Sequence, residues 1–93
     1  MWCLTKPKPI GRLMPTILRE NGWAVFICTD DHVPPHVHVK RDDGYVKIHL
    51  VGPDGLPEVV KIVRVADHEA WRALAIVNKH QQHLLREWRI IHG

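Results

Sequence analysis

Two period-two runs constrain this chain most. His36-Val37-His38-Val39-Lys40 and Tyr45-Val46-Lys47-Ile48-His49-Leu50 alternate polar and apolar residues, with Asp42-Asp43-Gly44 between them. Alternation of this kind places one set of side chains on each face of a strand, and an Asp/Gly segment between two such runs marks a tight turn. A β-hairpin follows, with Val37, Val39, Val46, Ile48 and Leu50 facing a core. His36, His38, Lys40, Tyr45, Lys47 and His49 then share the opposite face, expected to be solvated.

A second hairpin precedes it. The runs Pro15 to Arg19 and Trp23 to Cys28 are rich in strand formers, and Glu20-Asn21-Gly22 supplies the positive φ angles of a two-residue turn. Between the hairpins, Thr29 to Pro35 reads as a loop, because neither Pro34 nor Pro35 can donate to a ladder and the pair excludes helix. After the turn Gly52 to Pro57, the valine-rich stretch Glu58 to Val65 reads as a last strand. From Asp67, taken as the cap, to the C-terminus the spacing predicts one long helix. At 100° per residue its apolar stripe comprises Ala70, Leu74, Val77, Gln81, Leu84, Leu85, Trp88 and Ile91, with Trp71 at the margin. Arg72, Lys79, Gln82, His83 and Arg86 lie opposite. Ile76 and Ile90 fall together on that polar side, which makes them a candidate partner surface. The expected fold class is therefore α+β: an antiparallel meander sheet of about five short strands packed by one long C-terminal helix.

Composition narrows the functional classes. The 93 residues suit one domain and one modest core, too small for a two-domain cofactor enzyme. Thirteen Lys and Arg against ten Asp and Glu give a formal charge of +3. Lys6, Lys8 and Arg12 account for the whole excess, within a Pro-containing stretch free of acids. Residues 1–13 thus read as a flexible basic extension, upstream of the native start if Met14 is that start, and 14–93 as a formally neutral domain. No run reaches the ~20 apolar residues that span a bilayer, and the N-terminus lacks the apolar stretch of a signal peptide. A cytoplasmic protein without membrane attachment is expected. Cys3 and Cys28 read as reduced thiols rather than a disulfide framework.

Histidine is the unusual part of the composition, at eight residues. His36 and His38 project together from a strand, and Pro34-Pro35 holds His32 nearby in sequence. Imidazole titrates near neutrality, so His36 and His38 are candidates for general acid and base in phosphodiester cleavage. Three imidazoles, His32, His36 and His38, also make a metal-ligand alternative, although no carboxylate or cysteine completes a known metal motif. The plainer alternative is a set of solvent-facing histidines. No cofactor motif is present.

Met14-Pro15-Thr16-Ile17-Leu18-Arg19, the run Asp31-His32-Val33-Pro34-Pro35-His36-Val37-His38-Val39 and the ending Glu87-Trp88-Arg89-Ile90-Ile91-His92-Gly93 together resemble a small bacterial family carrying the domain-of-unknown-function label 4160. Some of its members are DhiT-type toxins of type II toxin–antitoxin modules. The resemblance covers Met14 to Gly93 and implies a growth-inhibitory toxin with a cognate antitoxin protein as partner; it supplies no established catalytic residues. In that setting the histidine-bearing face is expected to meet RNA. His36 and His38 would be the ribonuclease-like acid and base, and Arg19, Lys40, Tyr45, Lys47 and His49 would bind substrate. A non-enzymatic binding module or regulator working through its sheet edge and the Ile76/Ile90 side, a homodimer, and a metal-dependent hydrolase stay open as alternatives.

Overall fold

The computed structural model describes residues 16–27 and 34–92. The basic extension, Cys3, Cys28 and His32 lie outside the described residues. Five strands form one antiparallel sheet in sequential order: β1 (Thr16–Glu20), β2 (Trp23–Phe26), β3 (His36–Arg41), β4 (Gly44–His49) and β5 (Glu58–Val63). Helices α1 (Asp67–Lys79) and α2 (Gln81–His92) follow. The α+β meander expected from the sequence is thus present, but with two helices in place of one.

Both hairpins follow from local chemistry. Asn21 and Gly22 adopt φ of 52° and 84°, and such a turn matches the twist of the strands it joins. Asp42 takes a φ of 54° at the second turn. That turn is Asp42-Asp43 alone, since Gly44 already pairs with Arg41 as the first residue of β4. The glycine is required there by proximity: a Cβ at position 44 would lie 2.6 Å from the Val63 carbonyl oxygen and collide with the Arg64 carbonyl. The end of β5 therefore crosses directly over the start of β4.

Val39 lies opposite both Val25 and Val46, and Val37 opposite Ile48, so one face of the three central strands is continuous valine and isoleucine. These side chains, with Trp23, Ile27 and Leu50, are fully buried against α1 and α2. Each contributes about 1.5–3 kcal/mol by leaving water.

The single long helix breaks at His80, whose φ and ψ are −110° and 19°. Its backbone N–H is shared between the Ile76 and Val77 carbonyls at 3.2 Å each, and its own carbonyl accepts the Leu84 N–H. A side-chain clasp marks the same point. Glu20, at the end of β1, accepts from Lys79 Nζ at 2.9 Å and lies 3.0 Å from His80 Nε2. The hydrogen bonds from His80 and then Lys79 hold the Glu20 carboxyl below its ordinary range.

The break resets the helical phase, which corrects three expectations. Ile76 is not on an exposed side: it is 4% exposed and belongs to the core, whereas Ile90 is 70% exposed. They do not form a joint partner surface. Gln81, placed by the projection in the apolar stripe, makes polar contacts instead: its Nε2 donates to the Leu50 and Gly55 carbonyls at 2.7 and 3.0 Å, tying the start of α2 to the β4–β5 connection. Trp71 is largely exposed rather than marginal. Asp67 is likewise not the cap: Ala66 occupies that position without a side-chain hydrogen bond, and Asp67 joins Glu69 in the first turn, where acids favour the dipole. No helix among the described residues is long and apolar enough to cross a membrane.

Phase resetting has a measurable signature. Ile76→Ala should cost about 2–5 kcal/mol of unfolding free energy in urea titration, the range for deleting a buried isoleucine. Ile90→Ala should stay within about 0.5 kcal/mol of wild type.

Candidate anion-binding sheet face

Antiparallel partners lie on the same side of a sheet, so the register assigns the second face row by row. Arg19, Ala24, Lys40, Tyr45 and Val63 form one row across all five strands. Thr16, Phe26, His38, Lys47 and Lys61 form the next. His36, His49 and Glu58 complete it. Four fixed cations, Arg19, Lys40, Lys47 and Lys61, thus share a face with one acid, Glu58, among its described residues. The other described acids lie in turns, in the helices or, for Glu20, in the clasp to α1. Among the described residues, then, cations outnumber acids on this face, although residues 14–93 as a whole are formally neutral.

All five expected substrate-binding residues, Arg19, Lys40, Tyr45, Lys47 and His49, lie on this face. The sequence reading missed Lys61 and Phe26. Lys61 was hidden because β5 is bulged: Lys47 pairs with Lys61 but its neighbour Ile48 pairs with Val59, leaving Val60 as an extra residue that breaks the alternation.

The centre of the face is not solvated, which corrects the expectation for three residues. His36 is 5% and His38 4% exposed, and Tyr45 is equally buried. Trp88 of α2 lies beside the first residue of β3, its ring 5.4 Å from that of His36. His36 meets His38 edge-on at 5.5 Å, and His38 meets Tyr45 in the same way at 5.4 Å. Trp88 in turn stacks on His92 at 3.9 Å. A contiguous file of rings therefore runs from Tyr45 to His92. Tyr45 packs within it and offers no open platform for stacking a base.

Within this file the orientation of His36 is determined. Its Nδ1 lies 2.9 Å from the Pro34 carbonyl oxygen, which can only accept, so Nδ1 carries the hydrogen. His49, 6.3 Å from His36, is half-buried at the margin. Its pKa is held below the ordinary imidazole value by burial first and then by the positive charge of His36 and Lys47, with Glu58 opposing.

These placements bear on chemistry. A general acid or base has to approach its proton to about 2.6–3.2 Å, and rings as enclosed as His36 and His38 present little edge to a macromolecule. The half-buried Lys47 and the exposed Lys61 and Arg19 are accessible. Among the described residues no group of three His, Cys, Asp or Glu side chains is arranged to hold a metal ion. His80 engages Glu20, and His83, three residues on, is exposed.

A packed role for His36 predicts that His36→Ala lowers unfolding free energy by about 2–4 kcal/mol, through a cavity beside Trp88 and a lost partner for the Pro34 carbonyl. Because the folded-state pKa of His49 is depressed, the unfolded chain binds a proton more readily. Its contribution to stability is therefore intact above about pH 6.5 and declines as pH falls below that value. Urea midpoints measured from pH 7.5 to 5.5 should fall, and His49→Gln should flatten the decline.

Comparison with known families and structures locates the chain. Neither the curated proteins nor the solved structures yield a match. A family model described as a domain of unknown function, DUF4160, matches residues 22–89, from the first hairpin turn through most of α2. This segment holds β2 to β5, the histidine-bearing strands and Trp88, and on that match the chain belongs to the DUF4160 family.

Proposed function

We propose that this protein is an RNA-binding, growth-inhibitory toxin of a type II module, and that it acts by occupying its target rather than cleaving it. One observation carries the binding reading: Arg19, Lys40, Lys47 and Lys61 share a sheet face with a single described acid, in a domain without net charge. A phosphate-bearing polymer is the partner such a local field attracts, and its affinity rests on the number of phosphates the cations neutralise. Burial of His36 and His38 favours occupancy over catalysis. The toxin role rests on the resemblance of the Pro-Pro-His-Val-His segment in its Met-Pro-Thr-Ile context, and a small antitoxin partner would suppress binding by covering the face.

Fluorescence anisotropy with a labelled single-stranded RNA tests the binding. The affinity should fall with salt, and Lys47→Ala and Lys61→Ala should each reduce the slope of log K against log salt by about 0.7. Binding should tighten only at pH values below the ordinary imidazole range, because burial and neighbouring positive charge lower the pKa at which His49 gains its charge. A salt-independent affinity, or none, would sink the RNA reading. Gel analysis of the same RNA should show no cleavage; cleavage lost in His38→Ala would restore the catalytic alternative. Induced expression in a bacterium should arrest growth, with the Lys47→Ala/Lys61→Ala protein much less inhibitory.

A further inference from the structure

α1, β5 and the turn before β5 carry an apolar surface that the basic face does not explain. Trp71, on α1, is 68% exposed and Leu56 54% exposed. Trp71 stands as a ridge between two shallow hollows. One, of about 280 Å³, is walled by Leu56, Pro57 and Leu74 and has Asn78 in its lining. The other, of about 260 Å³, lies between Val59 and Ile62 of β5 and Ala70 of α1, with Asp67 in its lining. Trp71 shares one hollow with the exposed Leu56 and the other with the exposed Ile62, so these three are a connected apolar surface rather than scattered residues.

The patch holds both a protruding ring and the recesses that fit one. A two-fold axis needs this property, because each copy then offers the same knob and the same hole. The adjoining strand has the same symmetry in its charges. Among the described residues β5 ends the sheet and has a strand on one side only. Its sequence, Glu58-Val59-Val60-Lys61-Ile62-Val63, places an acid and a base equally far from the Val59–Val60 midpoint. When two copies of β5 run antiparallel about that midpoint, Glu58 of each lies across from Lys61 of the other. The bulge at Val60 interrupts a regular ladder there, so side chains rather than backbone hydrogen bonds would make the contact.

We propose that the protein forms a two-fold symmetric dimer in which the β5 edges lie antiparallel, Glu58 pairs with Lys61 across the seam, and Trp71 of each copy seats in a hollow of the other. Trp71 is the anchor, of the residue type that most often dominates an interface. The Glu58–Lys61 pairs set the register.

Sedimentation and light scattering of the full chain test this without RNA, so the result is separate from the fate of the RNA reading. The expected species has twice the 10.8 kDa of one chain. Trp71→Lys should weaken association by roughly 30-fold or more, the loss typical of an aromatic hot spot. Glu58→Lys should weaken it by like-charge contact, and adding Lys61→Glu should restore it. Circular dichroism checks that each variant folds, and if Trp71→Lys does not, the charge-swap series decides. A wild-type chain that stays monomeric at all accessible concentrations overturns the proposal. So does a dimer indifferent to these substitutions. A monomer that forms a 1:1 complex with the product of the adjacent gene, lost in Trp71→Lys, would give the surface to a different protein and equally overturn it.

Discussion

Cross-strand packing of Val37, Val39, Val46 and Ile48 is the contact on which the rest of this molecule depends. These four are fully buried and paired in strict register, and shifting either strand by one residue would turn its apolar set to the other face. The same register fixes everything opposite. Once Val37 lies across from Ile48, His36 has to lie across from His49 and His38 from Lys47. The chemistry of the second face is thus held in place by hydrophobic burial on the first, and none of its polar residues has to specify its own position.

That second face is built in two zones, and their difference follows from what each side chain can tolerate. Imidazole is compact and partly aromatic, so His36, whose Nδ1 meets the Pro34 carbonyl oxygen, and His38, which packs edge-on against His36 and Tyr45, can be enclosed. A lysine cannot be enclosed so cheaply without a partner, and its long stem lets the ammonium reach water while its carbons cover the rings. The observed gradient, from buried His38 through half-buried Lys47 to exposed Lys61 along one row, is the arrangement these properties produce. It also makes the field at the margin collective. The pKa of His49 is lowered by burial and then by the positive charges beside it, which means that a bound anion would raise its proton affinity.

The hairpins were legible in the sequence because their signals are local: Asn21-Gly22 selects its turn by backbone preference, and the alternation from His36 to Leu50 needs no knowledge of distant contacts. The two-sidedness of the sheet was legible for the same reason. What escaped was tertiary. No local rule tells a face that will be covered from one that will not, so His36, His38 and Tyr45 were expected in water. The helix break at His80 was hidden because a 100° projection continues smoothly through a residue of ordinary propensity. Its visible causes, the clasp to Glu20 and the Gln81 bonds to Leu50 and Gly55, join residues 26 to 60 positions apart. Lys61 escaped through the bulge, which shifts the period of β5 midway.

Net charge says little about how the charges of this domain are arranged. A polyanion responds to the potential within about a Debye length, roughly 8–10 Å, so the sum over the whole chain matters less than the separation of signs across it. Here the separation is made by the pleat. The proposed dimer would add to it without new charge. A two-fold axis perpendicular to the sheet leaves like faces on the same side, so the basic rows of two copies would continue one another across the β5 seam. Lys61 would then sit at the middle of a longer track instead of at an edge, partly neutralised by Glu58 of the second copy. Association would thus lengthen the cationic surface while reducing its charge density at the centre, favouring a partner that follows the sheet for several phosphates over a single compact anion.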